Sequence, residues 1–212
     1  AALAQLEIAG SEGTLPDHFP ASLHALQAKA RALCSVPALA ATSSATRRLR
    51  RLETPRKRAQ VEALSELTMP LVRAASRVVE VGSGHGHLAR EVAARCDRPV
   101  VGLERDAALS AKARQLPHWD RLSFQEVDVL GSGLALLEGD CALGLHACGE
   151  LGDALAVSVA ERAQSLVLVG CCLQKQRAEL RAPLCRLRPD TPELVLPKSL
   201  LGLSNFTPRA QG

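Results

Sequence analysis

Residues 78–89 read VVEVGSGHGHLA. A short apolar run with an acid at its third position meets glycines at 82, 84 and 86, and a helical pattern begins at once. The β-branched residues at 78, 79 and 81 predict a strand. The glycines then place bare backbone between that strand and the N-terminus of a helix. Gly82 and Gly84 permit positive φ and the close approach of a ligand. Exposed N–H groups and the helix dipole at such a turn favour an anionic or hydrogen-bond-accepting group. A glycine turn without a ligand is the alternative, and a glycine motif alone decides little between them.

Outward from this stretch the same alternation continues. HLAREVAARC sets Leu88, Val92 and Cys96 on one helical face. PVVGLE (99–104) reads as the next strand and DAALSAKARQL as its helix. LSFQEVDV (122–129), CALGLH (141–146) with ELGDALAVSVAERA, and SLVLVG (165–170) extend the series. Strand and helix in turn predict an α/β, Rossmann-like domain over residues 77–212, with a mainly parallel sheet covered on both faces. Residues 1–76 read as a helical N-terminal extension with a basic segment. Within it, residues 17–33 carry Leu23, Leu26, Ala30 and Leu33 at helical spacing, with Asp17 or Ser22 as the cap. Thr54 and Pro55 read as the N-cap and first residue of a second helix, which presents Val61, Leu64, Leu67 and Leu71 on one side. After residue 170, QKQRAELRAPL is helix-like and ELVL is the one further strand pattern. Five to seven strands are therefore expected, the last of a full sheet being either absent or past the end of this sequence.

The chain has 212 residues, of which 47% are apolar and 23% charged, enough for a real core in a globular domain. Its net charge of +4 comes entirely from residues 1–76, which hold ten Lys/Arg against six Asp/Glu. Seven of those basic residues fall in RRLRRLETPRKR (47–58). Arg47, Arg48, Arg50, Arg51, Arg56, Lys57 and Arg58 can track a phosphate backbone, or simply form a solvated face. No Tyr, three Phe and one Trp argue against broad stacking on single-stranded nucleic acid. Seven cysteines without a CxxC pair argue against a disulfide framework and a zinc ribbon, so no metal is expected and a reduced, cytoplasmic compartment is. No apolar stretch of about 18 residues is present, so no membrane span is expected. AALAQLEIAG has no basic leader and no initiator Met, so it reads as a processed end or an internal piece rather than a secretion signal.

Two acids sharpen the reading of the turn. Glu104 ends the second expected strand, where a carboxylate can accept from both hydroxyls of a ribose. Asp128 ends the third, where it can accept the exocyclic amine of an adenine. Each alone is an ordinary solvated acid at a strand end. Three such features at the carboxyl ends of successive strands describe a nucleoside site.

The form Glu80-x-Gly82-x-Gly84-x-Gly86 resembles motif I of class I methyltransferases that use S-adenosylmethionine (SAM). That resemblance implies Glu80 near the amino-acid end of SAM, with Gly82, Ser83, Gly84 and Gly86 forming the turn beneath it. It also implies Glu104 and Arg105 at the ribose, and Asp128 with Val129 at the adenine. A second stretch, GLHACGELGDAL (144–155) with VGCCLQK (169–175), resembles the methyltransferase-like proteins once described as carrying an rRNA adenine dimethylase domain. More distantly it resembles the tRNA 2′-O-methyltransferase of the acceptor stem. Their pattern is His-x-Cys-Gly, an acid, then Cys-Cys-Tyr; here it is His146, Cys148, Gly149, Asp153, Cys171 and Cys172, with Leu173 in the place of Tyr. TPRKRAQVE (54–62) is similar to the basic segment before motif I in the same family, so the resemblance spans residues 54–175. It implies methyl transfer from SAM, with RNA as acceptor. A protein or small-molecule acceptor, or a binding module without turnover, remains the alternative.

The candidate catalytic residues are His146, Cys148 and Cys171. His146, at the end of the fourth expected strand, can take a proton from a hydroxyl or amine, or it can order its loop. Cys148 and Cys171 follow neighbouring strands and can supply a thiolate, or pack as small apolar residues. Zinc on His146, Cys148, Cys171 and Cys172 is geometrically open but has no support from ligand spacing. His85 and His87 read as surface or capping residues. No Asn/Asp-Pro-Pro-Tyr tetrad follows the fourth strand, so methylation of a base amine stacked on an aromatic ring is not indicated.

Overall fold

The computed structural model describes residues 15–34, 54–116, 119–162, 165–184 and 194–202. The chain divides into two compact units, residues 1–41 with 206–212, and residues 42–205. In the first, helix α1 (Ala21–Cys34) follows a turn closed by the Phe19 N–H on the Pro16 carbonyl. Leu15 is buried and its N–H donates to Gln27 Oε1 at 3.3 Å, whereas Leu26 on the expected apolar face is exposed.

The second unit holds the α/β core. Helix α2 (Pro55–Ala74) starts as expected, the Thr54 hydroxyl accepting the Lys57 N–H and Pro55 occupying the first turn. Its buried stripe differs from the expected one. Val61 and Leu64 are inside, but Leu67 and Leu71 are exposed, and Ser65, Thr68, Met69 and Val72 are buried instead. At 100° per residue, position 67 lies two-thirds of a turn away from position 61, so the two cannot share a face. Five parallel strands follow: β1 (Arg77–Val81), β2 (Val100–Glu104), β3 (Leu122–Glu126), β4 (Asp140–Leu145) and β5 (Ser165–Val169), in the order β3-β2-β1-β4-β5. Helices α3 (His87–Arg95), α4 (Ala107–Gln115), the single turn α5 (Val129–Ser132) and α6 (Glu150–Arg162) connect them. This is the expected Rossmann-like, mainly parallel architecture.

The strand pleat sorts the core into two layers. Val78, Val100, Leu122, Phe124, Cys141 and Leu143 point toward α2, α3 and α4. Val79, Val81, Leu103 and Ala142 point the other way, against Val129, Leu136 and Leu155. Val78, Val79 and Val81 are at most 2% exposed, and burying each stabilises the fold by roughly 1.5–3 kcal/mol. The far edge of the sheet is tied by a two-pronged ion pair, Arg77 Nε to Asp140 Oδ1 at 3.0 Å and Nη2 to Oδ2 at 2.6 Å. The opposite, carboxyl edge carries the loops that matter below.

The expected helix over QKQRAELRAPL does not form. The backbone there is spent on a loop crossing: the Lys175 carbonyl accepts the Glu150 N–H at 3.0 Å, and the Arg177 N–H bonds the Glu150 carboxylate. The segment ends in β6 (Leu180–Arg181), which pairs antiparallel with β7 (Leu196–Pro197); α7 (Lys198–Leu201) follows. Among the described residues the sheet has five strands, and β6 and β7 form a separate two-stranded ladder.

Candidate active site

The carboxyl ends of β1 to β4 and the loop after β5 enclose a cleft of about 590 Å³, within the range of small-ligand sites. Gly82, Glu104, Arg105, Asp128, Val129, His146 and Cys148 all line it, so most of the candidate residues converge. Leu103, Leu130 and Leu151 add apolar walls. Gln174, Lys175, Gln176, Arg177 and Lys198, which sequence reasoning missed, close the remaining side. For residues 174–177 the only signal was position, since the loop directly after the fifth strand must open on the same edge as the others; Lys198, at the start of α7, had none.

The glycine turn is shaped by its own hydrogen bonds. Gly82, Ser83 and their neighbours Gly84 and Gly86 were expected to offer free amides, and the structure corrects this. The N–H groups of Gly82 and Ser83 both donate to the Leu103 carbonyl, at 2.9 and 3.0 Å. Gly84 N–H donates to Glu104 Oε2 at 2.8 Å, and Gly86 N–H to the Ser83 carbonyl at 2.7 Å. These amides form no anion cradle. The turn suits a neutral sugar passing over it, not a pyrophosphate. Gly82, Gly84 and Gly86 take φ of +71°, +55° and +74°. Only Gly82 faces the cleft. Gly86 is a packing residue, since a Cβ there would overlap the Phe124 ring.

Glu80 and Ser83 also lie behind the cleft rather than in it, being 3% and 7% exposed. The pleat decides this for Glu80, which shares the face of Val78 and so points beneath α3. There its Oε2 accepts the Ala89 N–H at 2.9 Å and satisfies the first turn of that helix. Burial pushes its carboxyl up to about 8, outweighing that hydrogen bond and nearby Lys57 and Arg90. His87 is buried too, not a surface residue, and burial with nearby cations pushes its imidazole down to about 4. Arg90, 1% exposed, donates to the carbonyls of His85, Gly86 and Ala113 and lies 4.9 Å over the Phe124 ring. It pins the turn from below, and nothing in its sequence context announced it.

Glu104 presents its carboxylate at the cleft while Oε2 holds Gly84 and Oε1 accepts the Asp106 N–H at 2.9 Å. Asp128 caps α5, its Oδ1 accepting the Leu130 N–H at 3.2 Å, and is otherwise exposed.

The far side of the cleft is built differently. His146 takes φ +64°, the left-handed region, the single such non-glycine residue among those described. Its Nε2 lies 3.2 Å from Gln60 Oε1 and its Nδ1 3.3 Å from Cys171 Sγ. Because an amide oxygen only accepts, Nε2 carries the proton and Nδ1 turns its lone pair to the sulfur. Both nitrogens are engaged, so the geometry favours a loop-ordering role over a free general base. Cys148 Sγ lies 3.3 Å from Cys171 Sγ and accepts the Cys171 N–H at 3.2 Å; Cys171 Sγ lies 3.4 Å from Cys172 Sγ. Burial alone would raise the Cys148 thiol, but the hydrogen bonds from Cys171 and Cys172 pull it down. The same bonds from Cys148 and Cys172 push Cys171 up to about 12. Cys148 lines the cleft, whereas Cys171 is exposed and does not. Gly149 makes the arrangement possible: at φ +58°, a Cβ would overlap the Lys175 carbonyl. Two ion pairs, Glu150 with Arg177 (Oε2 to Nε, 2.9 Å) and Asp153 with Arg181, clamp the crossing loop onto α6.

Of the basic segment, Arg56, Lys57 and Arg58 sit in the first turn of α2; Arg47, Arg48, Arg50 and Arg51 lie outside the described residues. No helix among the described residues is long and apolar enough to cross a membrane.

The family model described as "Methyltransferase domain" matches residues 56–179. Among solved structures, the chain is similar to magnesium protoporphyrin IX methyltransferase (ChlM) from Synechocystis PCC 6803 with bound SAH, with 17% identity, 50% of this chain and 51% of that one covered, and a TM-score of 0.40. It is similar to the N-terminal domain of EvdMO1 with SAH bound, with 18% identity, coverages of 50% and 47%, and a TM-score of 0.41. The CcbJ methyltransferase from Streptomyces caelestis is 18% identical over 46% of this chain and 43% of that one, with a TM-score of 0.39. The match spans about half the length of each of these proteins. No curated protein matches the chain.

Proposed function

The chain belongs to the methyltransferase-domain family, and from that premise we propose that it transfers a methyl group from S-adenosylmethionine to RNA. The observation that carries the first half is the cleft itself, in which Gly82, Glu104 and Asp128 line one hollow from three successive strand ends. The donor set fits an adenosyl group. Glu104 keeps lone pairs for ribose hydroxyls beyond those given to Gly84 and Asp106, and Asp128 offers an acceptor at the adenine edge. Leu103 and Leu130 supply apolar walls for the base. The inward-bonded amides of the turn suit a nucleoside with no phosphate. SAM supplies an electrophilic methyl group; the protein's part is to hold the acceptor in line with it and to keep the cleft shaped.

RNA as acceptor is supported by charge. Lys175, Arg177 and Lys198 stand on the acceptor side of the cleft, and Arg56, Lys57 and Arg58 sit at the start of α2. Cations placed this way suit an acceptor that carries phosphates. The His146, Cys148, Gly149, Cys171 and Cys172 pattern points the same way through its resemblance to tRNA-modifying relatives.

Calorimetry with SAM and S-adenosylhomocysteine tests the first half. Binding to both is expected, and Glu104→Ala should weaken it on the order of tenfold to a hundredfold. A titration flat for both ligands ends the reading. Labelled SAM incubated with total tRNA, total rRNA and a protein extract tests the second half. Label in RNA is expected; label confined to protein or small molecules overturns the acceptor, and binding without transfer to any fraction leaves a SAM-binding module.

A further inference from the structure

We propose that Cys148, Cys171 and Cys172 form a zinc site, the fourth position of the ion being left to water or another small ligand. This goes beyond the methyl-transfer reading and does not depend on it.

The three sulfurs all lie within 4.8 Å of one another, with 3.3 Å between Cys148 and Cys171 and 3.4 Å between Cys171 and Cys172. A tetrahedral zinc with Zn–S bonds of about 2.3 Å spaces its sulfurs roughly 3.8 Å apart. The triad needs only to open by a few tenths of an ångström to accept the ion. His146 Nδ1 lies 3.3 Å from Cys171 Sγ but outside the cluster of the three sulfurs, so it stands beside the site as a hydrogen-bonding neighbour and not as a ligand. The Cys171 N–H on Cys148 Sγ is the kind of bond that stabilises thiolate charge beside a metal.

The site is built by the fold rather than by chance contact. Its ligands come from two loops, at the ends of the adjacent parallel strands β4 and β5. Gly149 lets these loops cross, and Glu150 with Arg177 holds them together. Cys148 is buried, Cys172 half-buried and Cys171 exposed, so an ion has a way in and a dry inner wall. Three soft thiolates select zinc over magnesium, calcium or manganese. The ion takes three of its four ligands from the protein. It would staple the loop that carries Lys175 and Arg177 to the loop that carries His146. Ligand spacing hid it because the cysteines fall as one and then an adjacent pair, separated by 23 residues, with no CxxC in either loop.

The test uses the whole chain, tag-free, purified under reducing conditions without added metal. Elemental analysis should find about one zinc per chain. After chelation, cobalt(II) should restore a thiolate-to-cobalt charge-transfer band and the strong visible bands of tetrahedral coordination. Cys148→Ser, Cys171→Ser and Cys172→Ser should each lower zinc retention at least tenfold under chelator competition. His146→Ala should keep both the charge-transfer band and the bound zinc, because the three sulfurs hold the ion. Cys96→Ala and Cys141→Ala, buried far from the loops, should leave retention unchanged, and circular dichroism on every variant separates lost ligation from lost folding. Wild-type chain that retains no zinc and shows no cobalt–thiolate band overturns the proposal. So does retention that survives the triple Cys→Ser variant, or a Cys148–Cys171 disulfide in place of bound metal.

Discussion

The two halves of the cleft reach similar ends by opposite means. On the β1–β3 side, backbone amides and carboxylates fix each other: Leu103 and Glu104 hold the amides of residues 82–84, and Asp128 caps its own turn. On the β4–β5 side, shape depends on two loops meeting: Gly149 against Lys175, Glu150 against Arg177, Cys148 against Cys171. The first half is held by backbone amides at the ends of paired strands. The second is a joint, and a joint fails as a unit. This division suits a protein that holds one constant group and one particular acceptor.

Gly149→Ala is the hardest blow to the joint. The new Cβ meets a backbone carbonyl, and the residue must also hold φ +58°, so neither a rotamer change nor local relaxation relieves it. A loss of about 4 kcal/mol in urea unfolding is expected, at the large end for one substitution. Hydrogen exchange should speed up at Glu150 and Arg177, whose N–H groups bond across the crossing. Unchanged exchange there would show that the two loops are not coupled, and the contrast between halves would fall.

Glu80→Gln sharpens the comparison from the other half. The folded carboxyl holds its proton up to about 8, whereas the model-compound value is 4.5. Its contribution is therefore intact below 4.5 and lost as pH rises through the window to 8, because the unfolded chain releases a proton that the folded chain keeps. Glutamine cannot ionise and still accepts the Ala89 N–H. The variant should match wild type near pH 4.5 and exceed it by about 4 kcal/mol at pH 8. His87 acts at the acid end. Its imidazole, pushed down to about 4 from 6.5, stays neutral while the unfolded chain takes up a proton, so stability falls as pH drops through that range. Denaturant midpoints against pH should show the limb above pH 6.5 flattened in the variant, and a steeper fall toward acid between 6.5 and 4.5, where the wild-type Glu80 contribution no longer offsets that of His87. An alkaline limb that stays as steep would mean Glu80 is already ionised in the fold.

How much of this was legible follows the same division. The five strands, their order along the chain and the acids at 104 and 128 were readable, because period-2 apolar runs and strand-end positions are local signals. The direction of Glu80 was readable in principle from its parity with Val78, but motif I drew it toward the ligand. The joint was not legible. QKQRAELRAPL has helical spacing, and only the crossing over Gly149, a tertiary event, diverts its backbone. In the buried stripe of α2, Leu67 lies off the face of Val61, whereas Leu71 projects within about 20° of buried Leu64 and is exposed all the same, so the helical spacing alone does not give its burial. Ser65 and Thr68, buried through hydroxyl bonds to the carbonyls of Glu62 and Ser65, gave no apolar signal at all.

Gly84→Ala is the mildest test and the one that separates conformational demand from packing. Gly84 shares positive φ with Gly149, +55° against +58°, but an added Cβ at 84 meets no atom within 4 Å. Strain alone remains, and about 1 kcal/mol of stability should be lost. The N–H bond to Glu104 Oε2 survives in either residue, so SAM affinity should fall only if the methyl group obstructs the ligand. Matched unfolding curves for the alanine variants at 84 and 149 therefore read the steric cost of the loop crossing directly. A difference near zero would place the whole penalty in backbone strain, and the joint would be no tighter than the turn.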